Sequence, residues 1–145
     1  MSDSAFIHKE AFWLLCSEKI GSGMGRDVYA SKVLPDCVIK CESNAGSFQN
    51  QFEWETWQQV KNTPFAKWFA PCKWISACGG VLVMQRTHPI QPGHYPERVP
   101  AFLTDLKRTN YGLIGKQVVC HDYGTNLLIQ MGLTKRMKKA EWWDV

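Results

Sequence analysis

Asp105, Asn110 and Asp122 are the residues whose types and spacing point most directly to chemistry. Two carboxylates and a carboxamide stand in D-L-K-R-T-N, which begins at Asp105, and in D-Y-G, which begins at Asp122. Their oxygens are hard ligands of the kind magnesium takes, and magnesium is held by one or two carboxylates together with substrate phosphates. Such a cation would offset the repulsion between the two acids and a triphosphate. Asp105 and Asn110 are close enough for one loop to present both, while Asp122 follows the apolar run V-V-C, which reads as a strand leading to the same centre.

Two further segments fit a phosphate. G-S-G-M-G-R-D-V-Y runs from Gly21 to Tyr29, and its glycines at 21, 23 and 25 permit close approach of backbone to phosphate and turn conformations closed to larger residues. No G-K-S or G-K-T follows, so it is not a Walker A loop. The residues after it read as strand V-Y-A rather than helix, which makes it a poor dinucleotide fingerprint. In V-I-K, strand alternation sends Lys40 to the side opposite Ile39, where a cation needs a polar destination. A phosphate oxygen or a glutamate would supply one. Glu53 is favoured over Glu55 because its helical face includes Trp57 and Val60, which could dock the helix on a sheet.

The elements that must position these residues follow from local patterning. Residues 8–18 cluster apolar side chains as a short amphipathic helix does, and the glycines at 21, 23 and 25 stop it. Val28–Ala30 and Cys37–Lys40 read as strands joined by a turn at Leu34-Pro35-Asp36. From about residue 45 to Val60 the period becomes helical. P-C-K-W-I-S-A-C and G-G-V-L-V-M-Q-R read as a second strand pair around Gly79-Gly80. The proline-rich stretch 87–96 reads as a linker, with a short helix from Pro96 toward Phe102. Tyr111–Ile114 and Lys116–Cys120 form a hairpin about Gly115, and residues 125–145 are expected to form one or two helices.

Length and composition bound the rest. The 145 residues suffice for one compact domain or two small lobes, and a hydrophobic fraction of 45%, with seven Trp and seven Phe, belongs to a folded globule. The expected class is α+β, with residues 1–86 as one lobe, 87–96 as linker and 97–145 as a second, smaller lobe. The formal charge of +4 favours phosphate contact, and the basic run Lys135-Arg136-Met137-Lys138-Lys139 reads as a solvated helix face. Nucleic acid is not the expected partner, since no zinc-finger spacing, RNA-binding aromatic motif or long basic stripe is present. Six cysteines without a close C-x-x-C pair, and no apolar run near bilayer-spanning length, point to a reduced cytoplasmic protein with no membrane segment. His8, His88 and His94 have no metal-ligand spacing, and His121 beside Asp122 reads as a solvent-facing or hydrogen-bonding residue.

Taken together, G-S-G-M-G-R-D-V-Y, V-I-K, the glutamate in F-Q-N-Q-F-E-W-E-T-W, D-L-K-R-T-N and D-Y-G resemble the motifs of the protein-kinase-like superfamily, including its small aminoglycoside-kinase-like and atypical members. The resemblance covers about residues 20–128. It implies a minimal kinase-like fold, a small antiparallel N-lobe sheet plus helix with a much reduced C-lobe, that binds ATP and magnesium. By that resemblance Gly21, Gly23 and Gly25 belong to the phosphate-covering loop and Val28 closes over the base. Lys40 anchors phosphates with Glu53 as its helix partner, Asp105 is the catalytic-loop base, and Asn110 and Asp122 hold magnesium.

The sequence departs from that pattern in places. Arg26 stands where a third loop glycine is usual, Leu103-Thr104 where histidine and arginine are usual, and Tyr123 where phenylalanine is usual; no A-P-E segment follows. Two functional expectations remain open. One is transfer of the γ-phosphoryl group to a protein hydroxyl. The other is a non-catalytic module that binds and inhibits or recruits a host or partner protein, through the basic and aromatic C-terminal segment. Two copies completing one another would suit so short a chain.

Overall fold

The computed structural model describes residues 3–43, 47–124 and 132–144. It is a mixed α+β structure with a five-stranded antiparallel sheet and two α-helices. The chain divides into two units, Met1–Asn50 with Cys72–Arg86, and Gln51–Pro71 with Thr87–Val145.

In the first unit, α1 (Asp3–Leu15) precedes β1 (Lys19–Ser22), β2 (Arg26–Ala30) and β3 (Cys37–Glu42), and β4 (Cys72–Ile75) and β5 (Val81–Gln85) complete the sheet in the order β1-β2-β3-β5-β4. The alternation of C-V-I-K-C-E explains how β3 is used. Ile39 joins Cys16 and Val83 in a buried cluster against which Phe12 and Leu15 of α1, Tyr29, Cys37 and Cys41 pack. Residues one step along the strand, Val38 and Lys40, belong to the opposite face. The turn at Leu34-Pro35-Asp36 closes with the Cys37 N–H donating to Leu34 O at 2.9 Å.

The glycines at 21, 23 and 25 are not what stops α1, which ends at Leu15 before β1 begins. Gly21 lies within β1, with a register irregularity between Lys19 and Gly21, so the glycine-rich segment is itself one arm of a hairpin. Helix α1 starts earlier than the apolar clustering indicates and stops at Leu15.

Helix α2 (Gln49–Val60) crosses the division, which falls after Asn50. In the second unit a 3₁₀ turn, Pro64–Trp68, is capped by the Thr63 hydroxyl, which accepts from the Phe65 N–H at 3.2 Å. β7 (Tyr111–Ile114) and β8 (Gln117–Cys120) form the expected hairpin, and Gly115 at φ +61° takes the left-handed conformation that favours glycine. Phe65, Phe69, Phe102 and Tyr123 pack as an aromatic group, with Phe69 edge-on to Tyr123 at 5.0 Å. His88 and Leu113 exchange backbone hydrogen bonds of 2.7–2.8 Å, so the proline-rich stretch is fastened to β7.

Two expectations are corrected here. Where a helix was expected from Pro96 toward Phe102, the chain forms β6 (Arg98–Pro100). Its partner is β9 (Met137–Lys139), which lies where the tail was expected to be helical. Residues 125–131 of that expected tail fall outside the described residues. The proline positions account for β6. Proline cannot donate to a helix interior, but it is tolerated in a short, two-stranded edge pairing. The basic run is thus partly a strand, with Lys135, Arg136, Met137 and Lys139 exposed. Trp142 is a packing residue, its indole N–H donating to Pro96 O at 2.8 Å and its ring edge-on to Tyr111.

Candidate functional site

Strand register sets the first group of candidate residues. Gly21 pairs with Val28, Val28 with Lys40, and Lys40 with Leu82, so three candidates from different parts of the sequence form one row across four strands. Lys40 is buried at 3% exposure. A lysine that deep requires polar company, since an ammonium withdrawn from water is costly unless compensated.

The glycine turn that begins beside this row is held by the start of α2. The Gly23 N–H donates to Arg26 O at 2.9 Å, and the Gln49 side-chain amide donates to Met24 O at 2.5 Å. Gly25 sits at φ +96°, the left-handed conformation that favours glycine, and a Cβ there would lie 3.1 Å from the Ser47 side chain. Arg26, in the place of the third glycine, is buried, and its guanidinium donates to Asn50 Oδ1 at 3.0 Å. Asn50 is fully enclosed. Its Nδ2 donates to Lys40 O and Gly79 O, both at 3.0 Å, while its N–H donates to Glu42 Oε1 at 2.8 Å. Arg26 and Asn50 therefore set the shape of the turn, a role that motif spacing did not reveal.

In the second unit, Asp105 and Asn110 meet directly, with Asn110 Nδ2 donating to Asp105 Oδ2 at 3.0 Å. That bond fixes the amide's orientation. With the NH₂ turned to the carboxylate, the amide oxygen is left to face elsewhere, as a cation ligand requires. Asn110 ends the 3₁₀ turn Arg108–Asn110 and is buried, whereas Asp105 is half-buried and Asp122 exposed.

His121 joins this loop to β8. Its N–H donates to Asn110 O at 2.8 Å, its Nε2 lies 2.8 Å from Thr109 O, and its Nδ1 lies 2.7 Å from Thr87 Oγ1. A carbonyl only accepts, so Nε2 carries the hydrogen, and in the neutral ring Nδ1 accepts from the threonine hydroxyl. Gly112 makes room for this arrangement, since a Cβ there would stand 2.4 Å from Thr87 Oγ1. The sequence offered only the adjacency of His121 to Asp122. Its two partners come from segments distant in the chain.

Glu53 is fully buried and accepts from the N–H groups of Tyr123 at 2.8 Å and Gly124 at 3.1 Å, so it holds the backbone of D-Y-G. Glu55, the alternative, is exposed and hydrogen-bonded to Gln51. The Tyr123 hydroxyl donates to Ala70 O at 2.8 Å, a polar handle that phenylalanine would lack. Burial pushes the Tyr111 phenol and the Cys120 thiol far above their ordinary values. Both stay neutral at pH 7 and add no charge near Asp105 and Asp122.

The donor set fits magnesium by type: the Asp122 carboxylate and the Asn110 amide oxygen are hard ligands, and phosphate oxygens would complete the shell. Among the described residues no group of three or more His, Cys, Asp and Glu side chains forms a cation site by itself. No protein-family model and no curated protein matches the chain.

Proposed function

We propose that the protein is a minimal kinase-like protein that binds ATP with magnesium and transfers the γ-phosphoryl group to a hydroxyl of a protein acceptor. The observation that carries this reading is the Asp105–Asn110 hydrogen bond, made in a loop whose Asn110 carbonyl is bonded to the residue immediately before Asp122. The backbone bond joins the loop that carries the acid and the amide to the strand end that precedes the second acid. The single row of Gly21, Val28 and Lys40 and the hold of Glu53 on D-Y-G support the same reading.

In this reading, Asp122 and Asn110 would hold magnesium, which would supply positive charge to offset that of the phosphates. Lys40 holds phosphate oxygens, and the glycine turn presents backbone to them. Asp105 orients the acceptor hydroxyl and receives its proton as the hydroxyl oxygen bonds to phosphorus and the bond to the bridging oxygen breaks. Positioning, rather than a covalent enzyme intermediate, carries the reaction.

Calorimetry with ATP, with and without magnesium, tests binding, and transfer of label from γ-labelled ATP tests the chemistry. Association that needs magnesium and falls about tenfold or more in Asp122→Asn and Lys40→Met is expected, with transfer lost in Asp105→Asn. Magnesium-dependent binding without transfer to any acceptor would favour the partner-binding module. Absence of nucleotide binding by the folded protein would end the phosphotransferase reading.

A further inference from the structure

Arg98 and Lys139 stand directly opposite one another in the β6–β9 pair. The backbone bonds on either side of them, from Ala140 N–H to Glu97 O at 2.8 Å and from Ala101 N–H to Arg136 O at 2.9 Å, fix which residues of the ladder are bonded. In an antiparallel pair bonded and non-bonded residues alternate, so Arg98 and Lys139 form a non-hydrogen-bonded pair, where facing side chains come closest. Like charges placed there oppose the pairing. Both residues are exposed, and among the described residues neither makes an ion pair.

The same alternation turns backbone groups outward. β6 and β9 make a sheet of two strands, and the N–H and C=O groups of the non-bonded residues point to its outer edges. On β6 those residues are Arg98 and Pro100. Proline has no N–H to offer, and the Pro100 carbonyl already accepts the Leu103 N–H at 3.1 Å. On β9 they are Met137 and Lys139, both exposed and both with an N–H. The Arg98 guanidinium leans across the ribbon to within 3.5 Å of Met137 O, so its charge reaches the β9 edge as well.

We propose that the outer edge of β9 is a docking site for an extended acidic segment of a partner protein, which adds to the ribbon as a third strand and sets its carboxylates against Lys139 and Arg98. Lysine on an open edge keeps neutral and basic strands away. An acidic strand turns that repulsion into attraction, and a carboxylate beside the two cations offsets the like-charge cost that the ribbon carries alone. Exposed Lys135 and Arg136, just before β9, extend the same charge. A nucleic acid would match the charge but leave the edge's N–H and C=O groups unpaired, whereas a second strand satisfies both. The inference is independent of nucleotide chemistry.

Fluorescence anisotropy with the full native chain at low salt tests it, the probe being a short labelled peptide in which Glu alternates with Val. Saturable binding is expected, weakened about tenfold by Lys139→Glu and unchanged by Lys116→Glu, which alters an exposed cation elsewhere. N-methylating the peptide throughout deletes its donors but keeps its charge, and should weaken binding about tenfold or more. Lys139→Glu puts an acid opposite Arg98, so its thermal midpoint should equal or exceed that of the native chain, which separates lost binding from lost folding. If that variant fails to fold, Arg98→Gln decides, with weaker binding expected. No binding by the native chain, equal affinity for a peptide with Lys in place of Glu, indifference to N-methylation, or tighter binding of a single-stranded oligonucleotide of equal charge would overturn the proposal.

Discussion

Glu53 Oε2 accepts the Tyr123 N–H at 2.8 Å across seventy positions of sequence, and it takes the Gly124 N–H as well. Both donors are buried, so deleting the carboxylate strands two backbone groups. An unsatisfied buried donor costs about 1–3 kcal/mol. Glu53→Ala should therefore lower the urea midpoint by the equivalent of about 3 kcal/mol. Glu53→Gln, which retains an acceptor oxygen, should lose less than half as much. Equal losses would show that the acceptor is not what matters.

His121 invites a test by chemical mimicry. His121→Gln can keep a donor toward Thr109 O, whereas His121→Phe keeps only the ring. If the histidine positions the loop of Asp105 and Asn110, the glutamine variant should retain magnesium-supported nucleotide association and the phenylalanine variant should lose it, with both melting as cooperatively as the native chain. Indistinguishable affinities would reduce His121 to a packing residue.

Gly112→Ala should be more damaging than its size implies. The added carbon would meet Thr87 Oγ1 at 2.4 Å and His88 O at 3.0 Å, and backbone cannot retreat as a flexible side chain can. Overpacking of this kind costs about 1–3 kcal/mol. Thermal unfolding of this variant against Gly93→Ala, where open space surrounds the glycine but φ is +87°, separates the clash from backbone strain.

The cysteines should differ sharply in reactivity. The exposed Cys78 thiol is drawn below its ordinary value by the Gly80 backbone N–H and by the Ser76 hydroxyl. Burial, with a further contribution from Cys16, pushes Cys41 up to about 12. Alkylation near neutral pH followed by peptide mass analysis should mark Cys78 first and leave Cys41 and Cys120 until denaturant is added. The same shift sets a pH trend. A thiol whose pKa is raised on folding holds its proton more tightly in the folded chain, so its contribution is intact below about 9 and declines as pH rises toward 12. Cys41→Ser should flatten that decline in unfolding experiments across the alkaline range.

Much of the fold was legible because its signals are local. Alternation in C-V-I-K-C-E, the glycine at 115 and the helical period ending at Val60 each specify their element from neighbouring residues alone. β1 was missed because three glycines outweighed a strand whose pairing with β2 supplies what its own composition lacks. β6 and β9 were missed for a related reason: each is three residues long, and only its distant partner makes it a strand. The burial of Glu53 and the exposure of Glu55 could be read from the helical face. Arg26, Asn50 and His121 could not, since their roles depend on carbonyls and side chains brought in by other segments.

The β6–β9 pairing also orders events during synthesis. Arg98–Pro100 leaves the ribosome well ahead of Met137–Lys139, and closing a loop of that length is slower than zipping the adjacent β7–β8 hairpin. The β7–β8 hairpin is therefore expected to close while β6 still presents an open edge. For that interval, the late-arriving strand leaves an unpaired edge of the kind on which chaperones and aggregation both act.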